Sequence, residues 1–228
     1  MTRPSRNWLW LAPLLWLAGC AGAPAVPDWQ MQAHAATQSA LQAYLRGDSR
    51  VEAAEFARAR AAIASTGRLE LMARFELLRC AARVASLVLE PCSGFEALRA
   101  DAAAQDRVYA DYLAGRLQPA DSAQLPEAQR AVAQAGTNAQ AAAAALQGMT
   151  DPLARLVAAG VLFQGALADP TAQALAVQTA SAQGWRRPLL AWLHLQLRAA
   201  EAAREPVEAA RLRRRIALVQ GEPEVARP

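Results

Sequence analysis

The chain has 228 residues, more than half of them apolar, with a formal charge of +4 and 20 acidic side chains. That length suffices for one large domain or two small ones. Every basic residue except two His is Arg, and the small net charge does not provide the strong basic stripe that a nucleic-acid partner requires.

The first twenty residues read as an export signal. Arg3 and Arg6 precede an uncharged apolar run from Trp8 to Ala18. Eleven helical residues reach only about 16 Å, roughly half the ~30 Å hydrocarbon core, so the run is too short to stay as a span. Pro13 interrupts it as well. The tetrad Leu17-Ala18-Gly19-Cys20 that follows resembles the lipobox of bacterial lipoproteins. The resemblance implies cleavage before Cys20, a diacylglyceryl thioether on its sulfur and acylation of the new amine, so the chain would reach its membrane partner through lipid. Residues 1–19 would be the signal, and the mature chain would be near charge +2. Ala21 stands where inner-membrane retention resembles an Asp signal, which implies a periplasm-facing anchor in the outer membrane. Residues 20–27, ending Ala-Pro-Ala-Val-Pro, form the anchor and a short linker that two prolines hold extended.

From Asp28 the pattern is helix after helix, with no convincing strand. Asp28 is expected to cap a helix to about Arg46, with Trp29, Ala33, Ala36, Ala40, Leu41 and Tyr44 on one face. Gly47 ends it, and Asp48 or Ser49 starts a second helix over Val51–Ser65 with Phe56 and Ile63 inward. Gly67 ends the second, and a third begins near Leu69 with Leu71, Phe75, Leu78 and Ala82 on one stripe. Pro91 breaks the chain. Ser93 and Glu96 have capping-box spacing for a fourth helix that continues, kinked near Gln105, to Leu113. Residues 115–127 read as the longest loop and the boundary between possible lobes 28–118 and 119–219.

Two short Ala-rich helices follow near 127–135 and 138–147. Asp151-Pro152 and Asp169-Pro170 then repeat one device, a capping acid before a first-turn Pro. Leu153, Leu156, Val157, Val161 and Phe163 cover much of the first of these helices, which marks it as buried. Gly184 ends the second. Pro188 is expected to open a helix carrying Trp192 and Leu193 at the centre of the C-terminal core. A last helix runs from Pro206 through Val219, and residues 220–228 are a tail. Helix pairs of this length loosely resemble tetratricopeptide arrays. However, anchoring that repeat's terminal Pro on Pro206 puts His194 and Arg198 where a small residue and an aromatic are expected, and no 34-residue period appears. The expected fold is therefore all-α, an irregular array of antiparallel helical hairpins.

Few residues offer chemistry. With Cys20 acylated, Cys80 and Cys92 remain, and an oxidising periplasm suggests a disulfide between them. That bridge requires the third helix to end near Ser86; two unrelated thiols are the alternative. His34 and His194 have no ligand partner at helical spacing, so neither metal nor cofactor is expected. Glu70 and Glu76 read as solvated helix surface beside Arg74 and Arg79. Lytic transglycosylases are helical and often lipid-anchored, but they need a catalytic Glu in an aromatic cleft, and the mature chain has three Trp and no Glu-Ser pair. No catalytic residue is assigned and no enzyme is expected. Two features suit a protein partner in the envelope. Arg211, Arg213, Arg214 and Arg215 gather charge on the last helix, where they also complement its dipole. Trp185, Arg186 and Arg187 lie between helices and combine residue types common at interaction hot spots. The expectation is a lipid-anchored interaction or assembly module, with a cell-wall-modifying enzyme, or an activator of one, as the alternative.

Overall fold

The computed structural model describes residues 26–221, so the leader, Cys20, most of the linker and residues 222–228 lie outside the described residues. Among the described residues every regular element is helical: eleven α-helices and one 3₁₀ helix. In order they are α1 (Asp28–Arg46), α2 (Ser49–Ala64), α3 (Leu69–Ala85), α4 (Ser93–Glu96), α5 (Ala104–Leu113), the 3₁₀ helix (Pro119–Gln124), α6 (Glu127–Gln134), α7 (Ala139–Gly148), α8 (Pro152–Gln164), α9 (Pro170–Ala182), α10 (Arg186–Ala202) and α11 (Pro206–Gln220).

Side-chain caps explain the starts of α2, α7, α8 and α9. The side chains of Asp48, Asn138, Asp151 and Asp169 each accept a hydrogen bond from the backbone N–H three residues on, at 2.6 to 3.1 Å. Each satisfies a donor that the first helical turn would otherwise leave unpaired. Asp28 does not cap. Pro27 holds the cap position, and Asp28 sits in the first turn, where its charge complements the helix dipole. The expected Ser93–Glu96 capping box is also absent, because Cys92 occupies the cap position and Arg99 takes the Glu96 carboxylate at 2.7 Å. α4 is consequently one turn long, and the chain is irregular to Ala103 rather than one kinked helix. Pro188 lies in the third position of α10, not the first, still within the turn where its missing N–H costs nothing. The expected loop at 115–127 holds the 3₁₀ helix.

Helix ends share one device. After α1, α3, α5, α8, α9 and α10 the chain turns back through a residue with positive φ, followed by a backbone N–H bonded to the carbonyl five residues earlier. Gly47, Gly115 and Gly184 hold that conformation in three of these turns, and Leu87, Ala166 and Arg204 hold it in the others. Gly is the usual choice because it lacks the Cβ that left-handed backbone crowds, so the last three turns carry no sequence signal.

α1 and α2 form the most extensively packed pair, an antiparallel hairpin, and α10 with α11 the next. The packing of α3 departs from simple hairpins: its main partner is α8, far along the chain. Gly160 makes this possible. A Cβ there would lie 2.3 Å from the backbone oxygen of Val84, so only Gly admits the contact. Side chains from the second half also bind carbonyls at the C-terminal ends of helices in the first half. Trp192 donates its indole N–H to Ala85 O at 3.2 Å, Gln164 donates to Leu113 O at 3.0 Å, and Arg187 donates to Tyr44 O at 2.7 Å. The main apolar cluster accordingly contains Tyr44, Leu77, Phe95, Leu156, Trp192 and Leu212 together, running across residue 118. A smaller cluster of Ala33, Ala59, Ile63, Met72 and Phe75 seats α1 and α2 on α3. Leu78 faces out, 42% exposed, and Leu77 takes the inward place expected for it.

Candidate interaction surfaces

Cys80 lies in α3, and Cys92 precedes α4. Their Cα atoms are 5.9 Å apart and the sulfurs are bonded. α3 stops at Ala85, one residue before the limit the bridge demanded, and Leu87 reverses the chain so that residues 88–92 run back to Cys80. The disulfide lines a cleft of about 320 Å³ with Glu76, Arg83, Glu90 and Arg116 around it.

Trp185, Arg186 and Arg187 are used inside the molecule. Trp185 is 6% exposed, which corrects the expectation of an aromatic offered to a partner; it caps α10 and packs in the main cluster. Arg187 donates to Tyr44 O and to Ser49 Oγ, and its guanidinium lies 4.4 Å from the centre of the Tyr44 ring. Arg186 donates to Arg46 O at 3.3 Å. Cations at a helix C-terminus meet its negative dipole end and its last carbonyls, so the two guanidiniums clamp α1 to α10.

The arginines of α11 divide. Arg211 pairs with Glu208 of the same helix at 2.7 Å, which holds the Glu208 carboxyl below its ordinary range. Arg213 pairs with Glu201 of α10. Among the described residues Arg214 and Arg215 make no ion pair. Arg211 and Arg215 share an open groove of about 500 Å³ with Gln178, Ser181 and Gln196, formed where α9, α10 and α11 meet. With Arg211 held by Glu208, it presents the guanidinium of Arg215 and amide donors, which suits carboxylate-bearing partners.

Other charges join helices instead of lacing one surface. Glu76 is buried and meets Arg60 of α2, Arg74 meets Asp106 of α5, and Arg79 meets Glu52 of α2 while stacking 4.2 Å from the Phe56 ring centre. The expected pairing within α3 is therefore replaced by pairing across helices. Arg99 links Glu96 to Asp111. Its hydrogen bond lowers the Glu96 pKa; at Asp111 desolvation raises the pKa most, but the bonds and charges of Arg99 and Arg116 together bring it below its ordinary value. Buried Gln129 accepts from Tyr112 Oη at 2.8 Å and donates to Ala154 O at 3.0 Å, tying α5, α6 and α8. Desolvation raises the pKa of Tyr112, keeping it a neutral donor. His34 is exposed and His194 half-buried. Among the described residues no three His, Cys, Asp or Glu side chains gather as a metal site needs, and no helix is long and apolar enough to cross a membrane.

One surface was not expected. Val26 and the early α1 residues Trp29 and Met31 face Leu71, Phe75 and Leu78 of α3 across an open, largely apolar groove of about 710 Å³. Phe75 is buried as its stripe predicts, but Trp29 and Leu71, also read as inward, are only half-buried, and helical periodicity alone does not reveal that no further helix covers them. Comparisons with models of protein families, with curated proteins and with solved structures find no match.

Proposed function

We propose that the chain is a lipid-anchored cell-envelope lipoprotein whose helical domain is a protein-interaction or assembly module. The observation that carries the reading is Leu17-Ala18-Gly19-Cys20 after a short, uncharged apolar run. The lipid would supply membrane attachment, since two or more acyl chains anchor stably where one binds only marginally. Ala21 favours the outer membrane, facing the periplasm. A disulfide between Cys80 and Cys92 accords with an oxidising compartment. The helical hairpins are arranged as a loosely tetratricopeptide-like array. The groove of Arg211 and Arg215 is the surface proposed to receive an acidic segment of an envelope protein, while Arg186 and Arg187 serve the fold.

The test has two arms. A palmitate analogue fed to cells should label the parent and not the Cys20→Ser variant; equal labelling of both refutes the anchor. Crosslinking in membranes should capture a protein with the parent and lose it in an Arg211→Glu, Arg215→Glu double variant, neither residue being needed to join helices. Undiminished capture removes the groove from the reading.

A further inference from the structure

The apolar groove between α1 and α3 has a position as well as a composition. Val26 and Met31 are each 53% exposed on its rim and Leu78 42%, so three large apolar side chains meet solvent on one face. Exposed apolar side chains gathered in one groove, unlike ones scattered singly, call for an occupant. Trp29 stands half-buried among them, and an amphipathic indole is the residue type that settles at a lipid headgroup boundary.

Chain length supplies the occupant. Val26 is six residues beyond Cys20, and six residues reach at most about 22 Å even when fully extended. If Cys20 carries the lipid, as proposed above and as this inference requires, Val26 and the first turns of α1 cannot stand farther than that from the headgroups. Both arginines of the groove are paired, Arg68 with Glu70 at 2.7 Å and Arg74 with Asp106 at 3.2 Å, and its other polar lining is Gln30, Thr37, Gln38 and the imidazole of His34. Attraction to this face should therefore come from burying apolar surface and not from anionic headgroups.

We infer that the groove of Val26, Trp29, Met31, Leu71 and Leu78 is a lipid-docking face that lays the domain against its own bilayer. Docking there fixes the orientation of the domain on the membrane.

Trp29 reports on this directly, because Trp185 and Trp192, the other tryptophans of the mature chain, are 6% and 0% exposed. The full mature protein, purified from membranes in detergent, is reconstituted into phosphatidylcholine–phosphatidylglycerol vesicles, with and without acyl chains brominated near the headgroup. Emission should shift to shorter wavelength on reconstitution, lose intensity with brominated lipid, and do so equally at high salt. The Trp29→Phe variant should lack the quenchable component, and a Met31→Asp, Leu78→Asp variant should lose most of the quenching with unchanged helix content. Trp29 that stays open to acrylamide in protein-bearing vesicles overturns the inference. Trp29 shielded from acrylamide yet indifferent to brominated lipid also overturns it, since a second copy or another protein then covers the groove. Palmitate labelling separates the two readings. A labelled chain with unquenched Trp29 keeps the anchor and loses the face; an unlabelled chain that vesicles still quench through Trp29 loses the anchor, and its groove binds lipid without a tether.

Discussion

Replacing Gly160 with Ala sets two effects of opposite sign against each other. In the middle of a helix Ala is favoured over Gly by about 1 kcal/mol, so propensity alone predicts a more stable protein. The packing predicts the reverse. The new Cβ would sit 2.3 Å from Val84 O and 2.9 Å from Val84 C, atoms of the α3 backbone that no rotamer change can remove. Ordinary contact needs about 3.5 Å, so α8 must retreat from α3 by roughly 1 Å. That retreat loosens the contact that joins the two halves of the main cluster, where Leu156, Val157 and Ala159 are buried in α8. Overpacking of a dense core costs about 1–3 kcal/mol, and with backbone on the receiving side the upper half of that range applies. Net destabilisation should be about 1–2 kcal/mol. In a domain of this size each kcal/mol moves Tm by roughly 2–4 °C, so a fall of about 2–8 °C is expected by circular dichroism. Gly148→Ala is the control: it meets nothing within 4 Å and closes α7, so its Tm should hold or rise slightly. A Gly160→Ala protein that melts at or above the parent would refute the account of how α3 and α8 approach.

Ala166→Gly should stabilise the protein by about 0.5–1 kcal/mol, because Ala166 is exposed and holds φ near 57° at the end of α8; an unchanged or lower urea midpoint would contradict this. Arg187→Ala, read by urea unfolding, should cost about 1–3 kcal/mol by removing two hydrogen bonds and the Tyr44 contact that clamp α1 to α10, whereas a purely external docking arginine would leave the midpoint unmoved. Cys92→Ser should lose about 3 kcal/mol, matched by the parent under reductant, and the loss should appear in one transition because α3 shares its core with α8 and α10; two alkylated thiols in unreduced protein would contradict the bridge. Glu96 has a lowered folded pKa, so its contribution to stability is present above the unfolded value of about 4.3 and is lost as pH falls through the folded one. Acid unfolding of Arg99→Gln should therefore begin at higher pH than in the parent, and coincident acid transitions would remove the Arg99 bridge from the account.

Local sequence determined the all-α character, the capping by Asp48, Asp151 and Asp169, and the chain reversals at Gly47, Gly115 and Gly184. Each depends on a side chain and its near neighbours, so the residue type states the geometry. The pairing of Cys80 with Cys92 was half legible: compartment and spacing suggested it, but the fit depended on where α3 ends, which Leu87 decides without a glycine to announce it. Tertiary structure alone decided which faces are covered. Ala-rich helices have weak apolar stripes, since a methyl buries little area, and their pattern does not name a partner. Thus α3 packs on α8 because Gly160 lets the backbones touch, and Leu78 is left outside. Trp185 and Arg187 looked like a surface patch in one dimension. Trp185 is buried in the main cluster and Arg187 meets the carbonyl and ring of Tyr44, 143 residues away, and only the closed fold brings such groups within reach.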